Sequence, residues 1–200
     1  MGRRPVTEQR RNEVLDAFVR CVARYGLDGA TLERLATESG LKRPLIRHHL
    51  GNKEEMVAAL VDHIIAKFDE QLSQIQGALA GQERLSTLIE LLFSEGAGTQ
   101  SDLILSFAAL TARADQDEAM RKALLGSLSN FEQFLSVEVA AAYPEAGERK
   151  IAAVAQSLMA LSFNLDSLSP LQPPQRWRLA SRDAAMILIA SLDSHTGANQ

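Results

Sequence analysis

The stretch from Gly40 to Met56 reads GLKRPLIRHHLGNKEEM and predicts the fold of the N-terminal part of the chain. Pro44 stands where a helix is expected to begin, because proline is tolerated in the first turn, where its missing N–H costs little. Arg43 precedes the proline, and Arg47, His48 and His49 follow Ile46 directly. Only Ile46 and Leu50 have the spacing of an inward face. The stretch therefore predicts a helix over about 43–50 with an apolar inner side and a cationic outer side.

A second short helix precedes this one and is joined to it by a glycine turn. Thr31 is the expected N-cap, and Ser39-Gly40 the expected end, because glycine adopts the left-handed backbone that the turn requires. Ala36 is small enough to let the following helix cross closely, and Leu41 fills the angle between the two. These features predict a helix-turn-helix, whose second helix lies in the major groove of DNA.

The outward residue types have the chemistry of DNA contacts. Arginine pairs bidentately with guanine O6 and N7, and leucine can touch a thymine methyl group. Histidine, lysine and a threonine at a helix N-terminus can bind phosphate, and such contacts set register while the arginines read sequence. The candidate DNA-contact residues are Thr31, Lys42, Arg43, Pro44, Leu45, Arg47, His48, His49 and Lys53.

These residues are compatible with two other interpretations. Arg43 and Arg47 are also compatible with solvated surface charges. His48 and His49 are also compatible with a metal site, but adjacent helical residues point about 100° apart and no His or Cys lies one turn further on. We therefore expect no metal here.

The distribution of charge favours a polyanionic partner for one end of the molecule. Residues 1–53 hold 11 Lys and Arg against 6 Asp and Glu, a net charge of +5, whereas the whole chain of 200 residues has a net charge of −4. A cationic head on an anionic body steers that end toward DNA. An uneven charge distribution that arose by chance is the alternative.

Helical periodicity continues through the rest of the chain, and no stretch alternates as a strand would. Asn52 and Glu55 form a capping-box pattern for a long fourth helix. The fold class predicted is all-α with about nine helices: a helix-turn-helix domain at 1–52 and a larger ligand-binding and dimerisation domain at 53–200. Further helices are predicted at about 83–95, 101–113, 117–142, 147–167 and 174–193.

The sequence offers no constellation for catalysis, a metal or a cofactor. Asp115 and Asp117 have the chemistry of paired carboxylates, but their place before a helix favours capping. The lone Cys21 cannot form an internal disulfide, and no apolar run reaches the ~18–20 residues that span a membrane. The N-terminus lacks the apolar core of a secretory signal. We therefore expect a cytoplasmic protein that is not an enzyme and does not enter a membrane.

The two predicted C-terminal helices, 147–167 and 174–193, are too apolar for the surface of a monomer. Residues 184–192 read AAMILIASL, which is apolar nearly all round and must be covered on both sides. Half of a four-helix bundle shared by two copies of the chain would cover it. A core pair buried within one chain is the alternative.

Residues 10–56 resemble the DNA-binding head of the TetR (tetracycline repressor-like) family of transcription regulators. The resemblance rests on matching positions along the head and on the long helix that follows. It departs at Lys42, Arg47 and Leu50, where the family often has serine, tyrosine and phenylalanine. The matching positions are Tyr25-Gly26, Thr31, Ala36, Gly40, Leu41, His49, Leu50 and Asn52-Lys53.

The resemblance implies a ligand-responsive regulator, most often a repressor, that binds a pseudo-palindromic double-stranded DNA operator as a homodimer through the last two long helices. It also implies a cavity for a small effector, which the few charges on the inward faces suggest is mostly apolar. An all-helical small-molecule binding protein or enzyme without DNA binding is the alternative. The candidate cavity residues, whose types are more often core than cavity lining, are Phe68, Phe93, Phe107, Phe131, Met159 and Phe163.

Overall fold

Helices account for the regular structure of the chain. The computed structural model describes residues 6–81, 83–94 and 101–193. Within these ranges it contains nine α-helices and one 3-10 helix and no strand, which confirms the all-α prediction. The α-helices are α1 (Val6–Gly29), α2 (Leu32–Ser39), α3 (Arg43–Leu50), α4 (Lys53–Ala78), α5 (Arg84–Phe93), α6 (Ser101–Thr111), α7 (Glu118–Ala142), α8 (Glu148–Ser167) and α9 (Gln175–Ala190), with the 3-10 helix at Ser169–Leu171 before α9.

Local sequence signals set most helix ends where they were expected. α3 covers the predicted range, and Gly26 departs from helical geometry near the end of α1 with φ 70° and ψ 170°. The helix predicted at 83–95 ends at Phe93, where the backbone N–H of Ser94 caps it, and residue 95 lies outside the described residues. Asp117 Oδ1 accepts a hydrogen bond from Met120 N at 2.9 Å, so this carboxylate caps α7 as predicted.

The chain divides into two compact units that are not continuous in sequence. The first unit consists of Met1–Glu70 and Gln100–Ser127, and the second of Gln71–Thr99 and Leu128–Gln200. Both α4 and α7 contribute residues to both units. The boundary predicted at residue 52, between the helix-turn-helix domain and the rest of the chain, divides the sequence differently. That boundary stays a prediction.

The first unit is built around α1. This helix packs against α6 and α2, and α3 packs against both α1 and α2. The buried hydroxyl of Ser106 on α6 donates a hydrogen bond to the carbonyl oxygen of Val19 on α1 at 2.8 Å. Asp28, near the end of α1, forms an ion pair with Arg113, which follows α6. Apolar packing and these polar contacts together fix α6 along α1.

The second unit has its own apolar core between α5, α7, α8 and α9. Leu88, Leu135, Leu158 and Ala185 are fully buried there, one from each helix. Glu138 is buried in the same unit, and its carboxylate accepts a hydrogen bond from Arg84 Nε at 2.9 Å. Arg84 also donates to the carbonyl oxygen of Leu79 at 2.7 Å. The buried charge is therefore paired, as burial of a carboxylate requires.

A polar contact within the first unit joins α1 to α4. His63 on α4 is only 8% exposed, and its Nε2 lies 2.7 Å from Oδ1 of Asp16 on α1. Lys67 Nζ lies 3.7 Å from the same oxygen. The hydrogen bond from His63 and the nearby charges of Lys67 and Arg20 hold the pKa of Asp16 below its ordinary value of 3.8, against a smaller opposing effect of burial.

Asp16→Asn should lower the free energy of unfolding by about 1 kcal/mol at pH 7, since the contact is half exposed and partly screened. The pKa of Asp16 is depressed by folding, so the carboxylate contributes its full stability above pH 3.8 and loses it as the pH falls through the folded-state pKa. Urea unfolding between pH 7 and pH 3 would measure the difference.

Asp62→Asn is the matched control, because Asp62 is an exposed carboxylate next to His63. It should change the stability by less than about 0.5 kcal/mol. A deficit for Asp16→Asn that stays constant from pH 7 to pH 3 would show that the ionised carboxylate is not its source.

Candidate nucleic-acid interface

α2 begins and ends with side-chain and backbone caps that the sequence predicted. Thr31 Oγ1 accepts a hydrogen bond from Arg34 N at 3.3 Å, which makes Thr31 the N-cap. Gly40 ends the helix in the left-handed conformation, with φ 69° and ψ 12°. Leu35 is fully buried and holds α2 against its neighbours. The short turn then brings the chain directly into α3.

α3 presents one side to the protein and the other to solvent. Ile46 and Leu50 are buried, as predicted from their spacing. Pro44 lies in the first turn, and Lys42 stands at the N-cap position without a side-chain capping bond. Because α3 packs against α1 and α2 through its apolar side, the cationic side is left open.

The candidate DNA-contact residues lie on or beside this open side. His49 is half-buried, and the edge of one histidine ring faces the other, with the centroids of His48 and His49 5.5 Å apart. Leu45 is a large apolar side chain that stays exposed. The exposed members are Thr31, Lys42, Arg43, Pro44, Leu45, Arg47, His48 and Lys53.

The start of α4 places Lys53 beside α3. Asn52 and Glu55 form the predicted capping box: Asn52 N donates to Glu55 Oε2 at 2.7 Å, and Glu55 N donates to Asn52 Oδ1 at 2.9 Å. Gly51 precedes them with φ 83°, and a Cβ atom there would lie 2.0 Å from Glu55 Oε2. Glycine is thus required at this corner, and Lys53 becomes the first residue of α4.

Two further side chains shape this surface and were not predicted from the sequence. The guanidinium of Arg34 lies 4.2 Å from the centre of the Tyr25 ring and donates to the carbonyl oxygen of Gly29 at 2.7 Å. Glu33 Oε1 lies 3.1 Å from Arg43 Nη2. Only the crossing of α2 and α3 brings Glu33 and Arg43 together, so their sequence positions gave no signal of the pair.

The predicted cavity residues fall in two different units. Phe68 and Phe107 belong to the first unit, where their rings meet edge to face with centroids 5.5 Å apart. Phe93, Phe131 and Met159 belong to the apolar core of the second unit. Phe163 lies in the same unit and is half-buried. Packing explains the buried members, and a role in binding an effector stays a prediction.

Within residues 6–81, 83–94 and 101–193, no three His, Cys, Asp or Glu side chains are grouped so as to hold a metal ion. No helix in these ranges is long and apolar enough to cross a membrane.

α2, the Gly40 turn and α3 form a helix-turn-helix whose second helix exposes its cationic side, the arrangement by which such motifs enter the major groove of DNA. Residues 14–60 match the sequence model of the tetR family of bacterial regulatory proteins. Among curated relatives, the HTH-type transcriptional repressor AcnR of Corynebacterium efficiens is 36% identical over 93 residues, which cover 44% of this chain and 48% of that protein. The HTH-type transcriptional regulator BetI of Brucella suis biovar 1 is 27% identical over 116 residues, which cover 58% of each.

The chain thus spans about half the length of the curated relatives that it matches. Over nearly its whole length it shares a fold with solved structures. A TetR-family transcriptional regulator of Cytophaga hutchinsonii has a TM-score of 0.72 at 17% identity, covering 96% of this chain and 98% of that one. A TetR transcriptional regulator of Chloroflexus aurantiacus has a TM-score of 0.70 at 15% identity, covering 92% and 96%.

Residues 14–60 are therefore similar to the tetR family of bacterial regulatory proteins, and the chain shares its fold with solved TetR-family regulators. The resemblance noted in the sequence is confirmed. The relatives are transcriptional regulators, which agrees with the prediction that this chain is not an enzyme.

Gly40→Ala should destabilise the protein by about 1 kcal/mol, because an L-residue at φ 69° is strained even though no atom lies within 4 Å of the new Cβ. Gly126→Ala is the matched control: Gly126 lies within α7 and also has no atom within 4 Å of a new Cβ. That variant should gain about 0.5–1 kcal/mol. Urea unfolding of both variants tests the pair, and equal effects would contradict the assigned role of the turn.

Proposed function

We propose that the protein is a ligand-responsive transcriptional regulator, acting as a repressor, that binds a pseudo-palindromic operator as a homodimer. The observation that carries this proposal is the exposed cationic side of α3, held outward by the buried Ile46 and Leu50. The relative AcnR is a transcriptional repressor, which supports repression rather than activation.

In this proposal the exposed residues of α3 divide between reading bases and binding phosphates. Arg43 and Arg47 donate to guanine O6 and N7, and Leu45 contacts a thymine methyl group. His48, His49 and Lys42 lie beside the phosphates, and Pro44 sets the start of α3 against the duplex. Thr31 and Lys53 stand at the N-termini of α2 and α4, where free N–H groups favour an anion.

The outer faces of α8 and α9 support a homodimer. Their inner faces are buried in the core of the second unit, through Leu158 and Ala185 for example. The outer face of α9 nevertheless exposes Leu179, Met186 and Ile187, the last of these 71% exposed. The exposed residues of α8 include small alanines, at positions 152, 153 and 160, that permit close approach. A second copy of the chain would cover this apolar surface.

A two-fold dimer of this kind reads two half-sites. Their centres lie about 34–36 Å apart along the duplex, or a multiple of that distance, so that each α3 enters a major groove. A bound effector weakens operator binding by favouring a conformation in which the two α3 helices are wrongly spaced for the half-sites. A coupling of about 1–3 kcal/mol between the two sites would suffice.

We propose that the effector is small and mostly apolar. The support is the apolar core of the second unit, which Phe93, Phe131 and Met159 join, together with the half-buried Phe163 of the same unit. Thermal-shift measurements with a panel of small apolar compounds would test this, since a ligand of the folded state raises Tm.

A gel shift with duplex fragments from upstream of the protein's own gene tests the central proposal, and footprinting then locates the operator. A protected site with two-fold symmetry is expected. The alternative, an all-helical small-molecule binding protein or enzyme, predicts no shift at any salt concentration.

Arg47→Ala should weaken operator binding by about 1–3 kcal/mol and relax base preference at one position, because it removes a base contact. Lys53→Ala is the contrasting variant: it should weaken binding to all sequences alike and reduce the salt slope by about one. Fluorescence anisotropy over a range of salt concentrations separates the two patterns. An unchanged base preference for Arg47→Ala would remove Arg47 from the set of base-reading residues.

Ile187→Glu should convert the dimer to monomers, because it places a charge in the centre of the proposed interface. Leu125→Glu is the matched control: Leu125 is also an exposed apolar residue, at 57% exposure, but it lies on α7. Light scattering after size exclusion would give the masses. A dimeric Ile187→Glu protein would place the interface elsewhere.

A further inference from the structure

An acidic side chain lies within the surface that the proposed function gives to DNA. Glu33 is in the first turn of α2, and Arg43 is the first residue of α3. Glu33 Oε1 and Arg43 Nη2 are 3.1 Å apart, with the Glu33 side chain 76% exposed and that of Arg43 57% exposed. The carboxylate is therefore placed to offset the positive charge that Arg43 would otherwise offer to phosphates.

Stability accounts for only a small part of this arrangement, through the ion pair and the place of Glu33 in the first turn of α2. Exposed ion pairs of this kind contribute only about 0.2–1 kcal/mol to folding. The helix-turn-helix is already fixed by Leu35 and Ile46, both fully buried, and by the Gly40 turn. A role for Glu33 in DNA recognition explains its presence better.

The pair changes what Arg43 can offer to a duplex. An unpaired arginine binds the phosphates of any sequence and releases counterions, and it therefore strengthens non-specific binding. Arg43 keeps its charge, but together with Glu33 it forms a pair of no formal net charge. Its guanidinium keeps donors that Glu33 does not occupy, and guanine O6 and N7 can still engage these as a bidentate acceptor.

The neighbouring cations differ from Arg43 in this respect. No carboxylate of the described residues pairs with Arg47 or Lys53, whose side chains are exposed. The proposed interface therefore contains unneutralised charges for affinity and one neutralised arginine at the start of α3, where recognition helices contact base edges.

We propose that Glu33 is a specificity-determining residue that lowers affinity for non-operator DNA by neutralising Arg43. This inference rests on the proposed function, because it presumes that α3 binds a duplex. Glu33 acts through Arg43, so its effect should disappear when Arg43 is replaced.

Glu33→Gln tests the proposal through the dissociation constants for operator and scrambled duplexes at several salt concentrations. Freeing one arginine for a phosphate should raise affinity for scrambled DNA about five-fold at 0.15 M salt and steepen the salt slope by about 0.9. Operator affinity should change less, so the ratio of the two affinities falls. Thermal unfolding would verify that the variant is folded.

Two further variants separate the mechanisms. Glu38→Gln removes the same charge from α2, but Glu38 pairs with Arg20 at 2.6 Å and not with Arg43. It should leave the affinity ratio near that of the wild type. In an Arg43→Gln background, Glu33→Gln should have no further effect on binding to scrambled DNA.

Three results would overturn the proposal. If Glu33→Gln leaves the ratio of operator to scrambled-DNA affinity unchanged, Glu33 does not determine specificity. If Glu38→Gln changes that ratio equally, the cause is the net charge of the protein and not the pair with Arg43. A full effect in the Arg43→Gln background would mean that Glu33 acts on DNA directly. If the wild-type protein binds no duplex, the proposed function itself fails, whereas the first three results leave it standing.

Discussion

The crossing of α2 and α3 is the constraint on which the exposed cationic surface of α3 depends. Leu35 and Ile46 are completely buried, and Gly40 turns the chain between them with a positive φ. Since α3 has only eight residues, it has little helical stability of its own and is held by this packing. The outward direction of Arg43 and Arg47 follows from the inward direction of Ile46 and Leu50.

Local features of the structure could be read from the sequence. Thr31 caps α2, Gly40 is left-handed and Asn52 and Glu55 form a capping box, because each depends on residues a few positions apart. The all-α class and most helix ends followed from the same kind of signal. Buried and exposed positions on α3 were also predictable, since a period of 3.6 residues fixes which side chains share a face.

Contacts between distant parts of the chain could not be predicted in this way. The Asp16–His63 hydrogen bond and the Glu33–Arg43 ion pair depend on how helices cross, and no local pattern encodes the crossing. The aromatic residues illustrate the same limit. Phe68 and Phe107 lie in a different unit from Phe93, a separation that their apolar character alone could not reveal.

The packing of α6 along α1 has a consequence for protein engineering. Ser101–Thr111 covers α1 through apolar contacts and through the hydrogen bond from Ser106 to Val19, although nearly ninety residues separate the two ends of that bond. A chimera that transplants only the first fifty residues onto a foreign scaffold would leave an apolar side of α1 open to water. Successful grafting would require the host protein to cover this side of α1, or the transplanted segment to include α6.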